Sequence, residues 1–236
     1  MKIALLGYGK MGKAIEQAAV ARGHEIVFRK KSDDGYENLK KADIAIECSV
    51  PSAAVGNLSA CLTVGIPVVC GTTGWLADYE KIAALCKEKS GAFLYASNFS
   101  LGVNLFFNLN EYLARLMRNF PHYKVAIEEI HHTQKLDAPS GTAITLAQNI
   151  CMHSNYTGYA LTDAKQDIIP IAAKRIEHVP GTHSIYYQSA VDTIEIRHTA
   201  HSREGFAEGA VIAAEWLVNK KGVFSMKDVL EIDSNV

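Results

Sequence analysis

The stretch that decides the fold is Met1–Gly12, MKIALLGYGKMG, in which an apolar run of five residues, Lys2 to Leu6, feeds directly into Gly7-Tyr8-Gly9-Lys10-Met11-Gly12. A GxGxxG match carries meaning only between a strand and a helix, and here a helical pattern from Met11 to Arg22 follows at once. Each glycine then has a task. Gly7 permits the tight turn, Gly9 lets the backbone approach a pyrophosphate, and Gly12 lets the helix sit close to the strand. The free amides at the start of that helix suit phosphate oxygens. The segment therefore points to a Rossmann-type dinucleotide site.

Outward from this loop, apolar runs alternate with helical patterns. Strands are expected at Glu25–Phe28, Ile44–Cys48, Pro67–Cys70 and Ala92–Tyr95, with helices at Ser52–Val64 and Ala77–Lys89. That rhythm implies a parallel, doubly wound sheet. After Leu101 it changes: a helix over Val103–Asn119, a strand over Tyr123–Ile130, a polar loop over His131–Ser140 and a helix from Thr142 to about Met152. Strands near Ile168–Ala173, Ser184–Tyr187 and Thr193–Thr199 then follow one another, as in an α+β domain with a mixed or antiparallel sheet. The final helix, Phe206–Asn219, and the tail Val223–Ile232 are expected to return to the first domain. The expected organisation is an α/β chain: a dinucleotide-binding domain from residues 1–101 plus about 206–236, and a substrate-binding and oligomerisation domain over 102–205.

Bulk properties narrow the partners. Among 236 residues, 24 Lys and Arg face 25 Asp and Glu, so no charge excess argues for nucleic acid or an anionic membrane surface. No apolar run approaches the roughly 20 residues that span a bilayer, and the N-terminal stretch lacks the apolar core and cleavage site of a signal peptide. A cytoplasmic protein acting on a small molecule is the expectation. The five cysteines, Cys48, Cys61, Cys70, Cys86 and Cys151, form no CxxC pair and read as buried or idle thiols.

The second strand normally ends on an acidic residue that binds the ribose hydroxyls of NAD. Here the sequence is VFRKKSDD, with Arg29, Lys30 and Lys31 at that place, which suits the 2′-phosphate of NADP; Asp33 and Asp34 follow closely, and a shift of register reverses the inference. Two further segments, Gly71-Thr72-Thr73-Gly74 and Ala96-Ser97-Asn98-Phe99, end the fourth and fifth strands, where open α/β sheets bind ligands.

The densest chemistry lies in Glu128–Thr142, EEIHHTQKLDAPSGT. His131 and His132 should point in opposite directions after a strand, Lys135 supplies a cation and a proton, and Ser140, Gly141 and Thr142 offer hydroxyls and amides at a helix start. Read alone, the segment fits a solvated polar loop with an Asp or Ser helix cap better than it fits a reaction site. A metal site drawing on these histidines with His153, His178 or His183 is not expected, because adjacent histidines rarely chelate one ion and no carboxylate or cysteine spacing completes a set.

Taken together, HHTQKLDAPSGTA, GYGKMG, GTTG and ASNFSLGVN resemble the dihydrodipicolinate reductase family of lysine biosynthesis, and VPGTHSIYY, EIRHTAHSREGFAEGAVIAAEWL and MKDVL extend the resemblance to the tail. It implies reduction, by NADPH or NADH, of a cyclic imine dicarboxylate derived from 4-hydroxy-tetrahydrodipicolinate. It also implies roles: His131 as general acid/base, His132 as a substrate contact, Lys135 as proton donor and substrate ligand, and Gly141 and Thr142 as holders of a substrate carboxylate. Gly7 to Gly12, Gly71 to Thr73 and Ala96 to Phe99 fall on the family's cofactor contacts, and family members are commonly tetramers built through the second sheet. The basic Arg29 tilts the expected cofactor slightly to NADPH. The chain departs from longer bacterial members in its short stretches between Lys30 and Ala42 and between Met152 and Ile169, and in lacking an evident acidic residue after the second strand. Alternatives are another small Rossmann enzyme, such as one acting on aspartate, and a nicotinamide-binding sensor without chemistry.

Overall fold

The computed structural model describes residues 1–32, 34–161, 166–202 and 204–232. It divides into two compact units, one from Met1–Leu101 together with residues 204–232, the other from Gly102–Arg203.

The first unit follows from residues that are apolar on both sides of a strand. In β1 (Lys2–Leu6), Ile3 and Leu5 point to one face and Ala4 and Leu6 to the other, all four fully buried. Such a strand needs helices on both faces. The chain supplies them through α1 (Lys10–Ala21), β2 (Glu25–Lys30), β3 (Ile44–Glu47), α2 (Pro51–Thr63), β4 (Val68–Cys70), α3 (Tyr79–Glu88) and β5 (Ala92–Tyr95). Ile15, Ala19, Ala210 and Val211 belong to the core on the Ile3 side; Leu58, Leu62, Ile82 and Cys86 belong to the core on the Ala4 side.

The second unit opens with α4 (Leu101–Met117), β6 (Lys124–His131) and α5 (Gly141–His153), followed by β7 (Gly158–Ala160), β8 (Ile168–Arg175), β9 (Gly181–Gln188) and β10 (Thr193–Ala200). Its sheet runs β10-β9-β6-β8-β7, with β9 antiparallel to β10 and β6, and β8 parallel to β6 and β7. One face carries the core, where Val125, Ile127, Ile171 and Ile185 meet Leu146 and Ile150 of α5. Asn110, fully buried on α4, donates to the Leu146 carbonyl at 3.1 Å and ties the two helices.

The chain then returns to the first unit as α6 (Glu204–Leu217), β11 (Gly222–Phe224) and α7 (Met226–Val229). The first sheet is six-stranded and parallel throughout, ordered β11-β5-β4-β3-β1-β2.

Several boundaries differ from those expected. β2 runs to Lys30 rather than Phe28, because Arg29 and Lys30 pair with Leu5 and Leu6 and the Lys30 carbonyl accepts from the Gly7 amide at 3.1 Å. β6 includes His131, and β9 begins at Gly181 instead of Ser184. The strands β7 and β11 are additions. Each has three residues, too few for a period to show, and each exists through pairing with β8 or β5.

Candidate active site

At the end of β1 the glycines divide the work as their chemistry requires. Gly7 sits at φ +103°, and a β carbon there would lie 2.6 Å from the Cys48 carbonyl oxygen; a β carbon on Gly12 would overlap the Gly7 carbonyl. Gly9 is different: nothing lies within 4 Å of where its β carbon would be. The space in front of Gly9 is thus open to a ligand. Gly9 also caps α1, whose first turn carries no acidic side chain, so its free amides and positive dipole end are uncompensated. Lys10 and Met11 are exposed in that turn. These features fit the pyrophosphate of a dinucleotide.

Beside the loop, Tyr8, Glu16 and Arg29 form one cluster. The Tyr8 hydroxyl donates to Glu16, Arg29 Nε lies 3.1 and 3.2 Å from the two Glu16 oxygens, and the guanidinium stands 5.9 Å over the Tyr8 ring. Asp34 turns its carboxylate to the Lys31 amide at 2.8 Å, and Asp33 lies outside the described residues.

At the carboxyl ends of the strands, Met11, Glu47, Cys48, Gly71, Asn98 and Phe99 border a cavity of about 100 Å³. Gly71 allows the Phe99 ring to close on the backbone, since a β carbon would meet the ring at 3.1 Å. The Thr72 carbonyl accepts from Trp75 Nε1 at 2.7 Å, which pins the loop after β4 to an aromatic cluster with Tyr79, Phe93 and Tyr95. Thr72 and Ala96 are buried, whereas Thr73 and Ser97 are exposed. The sequence reading passed over Glu47. It is fully buried at the end of β3, accepting from the Ser49 amide at 3.1 Å and from Asn57 Nδ2 at 3.2 Å.

In the second unit, strand periodicity builds the site. Alternate residues Val125, Ile127, Glu129 and His131 of β6 share the buried face. Register adds partners from distant sequence: His183 of β9 lies opposite Glu129, and Arg175 of β8 lies opposite His131. Glu129 is wholly buried. Its Oε1 accepts from the Ser140 amide at 3.1 Å and from Arg175 Nη2 at 3.2 Å, while its Oε2 lies 2.8 Å from His131 Nδ1 and 3.9 Å from His183 Nε2. Burial by itself would push the carboxyl up, but the contacts from His131 and Ser140 outweigh it and hold the group down at about 2. Burial pulls His183 down to about 3, helped by the neighbouring His131. His183 Nε2 lies 3.1 Å from the Ser140 hydroxyl, within hydrogen-bond reach.

Arg175 also ties down the loop that follows, donating to the carbonyls of Lys135 at 3.2 Å and Asp137 at 2.6 Å. Lys135 Nζ pairs with Asp137 at 2.7 Å, and this contact holds the Asp137 carboxyl low. His132, just beyond the end of β6, is half-buried. Ser140 is buried at the start of α5. Its hydroxyl caps α5 by accepting from the Ala143 amide at 3.2 Å and is held against His183, so what the helix start offers outward is the amides of Gly141 and Thr142. No β carbon at Gly141 would meet anything within 4 Å. The donors of Glu129, His131 and His183 come within 4.8 Å of one another, but the permanent charge of Arg175 already sits on that carboxylate.

Glu129, Arg175 and His183 are the members that motif reading missed. Only the first had a signal, since a residue two before His131 on a strand shares its face. Among the cysteines, all of them free, burial pushes Cys48 up to about 12 and Cys61 and Cys70 higher still, so these three are not reactive thiolates.

Two of the buried ionisable groups, Glu129 and His183, contribute to how stability depends on pH. Glu129 titrates lower in the folded chain than its ordinary 4.5, so its contribution is complete above that value and is lost as pH falls towards 2. His183 titrates lower than its ordinary 6.5, so the unfolded chain takes up the proton first and stability also falls from pH 6.5 down to about 3. Denaturant unfolding followed against pH should show stability declining below about 6.5 and more steeply below about 4.5. A flat profile between pH 7 and 4 contradicts the assignment.

No helix among the described residues is long and apolar enough to cross a membrane. Models of the dihydrodipicolinate reductase family match nearly the whole chain, the N-terminal model over residues 1–99 and the C-terminal model over residues 102–230. A 4-hydroxy-tetrahydrodipicolinate reductase from Christiangramia forsetii is 57% identical over 235 residues, covering 98% of each chain. A dihydrodipicolinate reductase from Paenisporosarcina sp. TG-14, solved with dipicolinate bound, has the same fold at TM-score 0.80 and 24% identity, over 97% of this chain and 98% of that one. Aspartate dehydrogenase from Thermotoga maritima shares the plan more distantly, at TM-score 0.50 and 14% identity over 91% and 95% of the two chains. The chain belongs to the dihydrodipicolinate reductase family.

Proposed function

We propose that the unit containing the glycine loop holds NAD(P)H and that the unit containing His131 holds the cyclic imine dicarboxylate formed from 4-hydroxy-tetrahydrodipicolinate, which is reduced to tetrahydrodipicolinate. The observation that carries this reading is the placement, within one unit, of a buried Glu129–His131 pair, Lys135, and an open helix start at Gly141 and Thr142. When bound, the cofactor supplies a hydride to one ring carbon. The chain's own residues do the rest.

His131 delivers a proton to the neighbouring ring atom, with Lys135 as the second proton source. Lys135 exchanges its contact with Asp137 for a substrate carboxylate, a charge-assisted bond of the same kind. The amides of Gly141 and Thr142 take the other carboxylate, His132 contacts the ring substituents, and Ser140 holds the helix start in place. In the first unit the loop from Gly7 to Gly12 cradles the pyrophosphate, and the segments Gly71 to Thr73 and Ala96 to Phe99 border the nicotinamide.

Arg29 serves the 2′-phosphate of NADPH and favours it over NADH. Binding that phosphate requires Arg29 to give up Glu16. Replacing Arg29 with alanine should therefore weaken NADPH by roughly 10- to 100-fold, the worth of a hydrogen bond to a charged group, and leave NADH nearly unchanged. Isothermal titration with each cofactor checks this, and equal losses for both remove Arg29 from the phosphate site.

The enzyme acts in the cytoplasm as a homotetramer built through the second sheet. Supporting that assembly, β10 is an edge strand whose outer ladder pairs with no strand among the described residues, and Val191 beside it is 91% exposed. The reaction is tested by following NADPH and NADH oxidation with substrate generated in situ by the preceding synthase. Turnover is the expected result, and cofactor binding without turnover supports a sensor instead.

A further inference from the structure

The geometry points to Glu129 as the positioning residue of the reaction: its buried carboxylate fixes the His131 ring with Nδ1–H turned inward, so that Nε2 is the atom that exchanges protons with the substrate. The inference rests on the reading of His131 as the proton donor.

A carboxylate only accepts, and here two donors, the Ser140 amide and Arg175 Nη2, converge on Oε1. Oε2 is left to face His131 Nδ1 at 2.8 Å. The other group near Oε2 is His183, whose Nε2 stands 3.9 Å away, beyond hydrogen-bond reach, and is instead paired with the Ser140 hydroxyl at 3.1 Å. His131 is thus the ring nearest Oε2, and although the contact is bent away from hydrogen-bond alignment, a bare Nδ1 lone pair at that distance would repel the carboxylate, so Nδ1 must carry the hydrogen. The carboxylate stays ionised throughout the neutral range, because its contacts hold it at about 2.

The opposite side of the ring is kept open by a glycine. A β carbon on Gly181 would stand 3.2 Å from His131 Nε2, so a larger residue would press on the very atom that has to reach the substrate. The His183 ring, edge-on with centroids 5.0 Å apart, limits tilting of His131.

Glu129→Gln separates charge from shape. With Ser140 N–H and Arg175 both donating to one oxygen, the glutamine must place its carbonyl there and its NH2 against His131 Nδ1. The variant then donates where the wild type accepts, and the neutral ring is forced into the Nε2–H tautomer. Turnover should fall by at least about 10²-fold, as for loss of a positioned acid, while the KM for NADPH stays within about twofold.

The test is a double-mutant cycle read together with ¹⁵N chemical shifts of the His131 ring at alkaline pH. Expected are Nδ1–H in the wild type, Nε2–H in Glu129→Gln, and almost no further loss when Glu129→Gln is added to His131→Ala. An equal loss in both backgrounds means that Glu129 acts through the fold and overturns the proposal, as does Nε2–H in the wild type, a measurement that needs no variant to fold. Unchanged turnover in His131→Ala alone instead removes the underlying role of His131.

Discussion

His131→Ala is expected to lower turnover by roughly 10²- to 10⁴-fold, the usual contribution of a positioned general acid, with the dissociation constants of both cofactors unchanged. The separation follows from where the side chain sits. His131 ends β6 in the unit from Gly102–Arg203, among Glu129, His183 and Arg175, whereas every residue assigned to the cofactor belongs to the other unit. The substitution deletes a ring that is only 9% exposed in its side chain, so some stability is lost as well. Thermal unfolding run alongside single-turnover kinetics separates the two effects. Unchanged turnover at saturating substrate removes His131 from the proton-transfer step.

The second large effect divides two neighbouring glycines. Gly12→Ala places a methyl group against the Gly7 carbonyl, a backbone atom that cannot move without shifting β1 or α1. The expected cost is about 1–3 kcal/mol or more, as for other overpacked positions, seen as a lower unfolding midpoint. Gly9→Ala meets nothing within 4 Å and should unfold like the wild type. Its methyl occupies the approach to the helix amides, so NADPH and NADH should both weaken at least about tenfold, equivalent to some 1.4 kcal/mol. If Gly9→Ala binds both cofactors normally, the pyrophosphate does not lie across this loop.

These expectations also mark what the sequence makes legible. The first unit was readable because its strands are apolar on both faces and its glycine loop stands between a strand and a helix; Gly7 and Gly12 are confined by backbone, as the motif demands. β11 was not readable, since Gly222 at φ +129° begins a three-residue strand whose evidence is its bonding to β5, opened by the Gly222 amide donating to the Gly91 carbonyl at 2.9 Å. In the second unit the histidine loop was visible, but its chemistry depends on Arg175 and His183, which sheet register brings beside Glu129 and His131 from elsewhere in the chain. Ending the strand at Ile130 also hid the shared face of Glu129 and His131. Ser140 illustrates a different limit: a hydroxyl that looks available in sequence is consumed once the helix cap and His183 are in place.

In the proposed reaction, hydride passes from the nicotinamide to the ring of the imine dicarboxylate. It is tested most directly with NADPH deuterated at the transferable position of C4 and substrate produced in situ, the product being examined by mass spectrometry and NMR. The expected product carries one deuterium on a ring carbon, with the accompanying proton drawn from solvent through the His131 site. Oxidation of the cofactor without deuterium in the product, or binding of the cofactor with no oxidation, contradicts it.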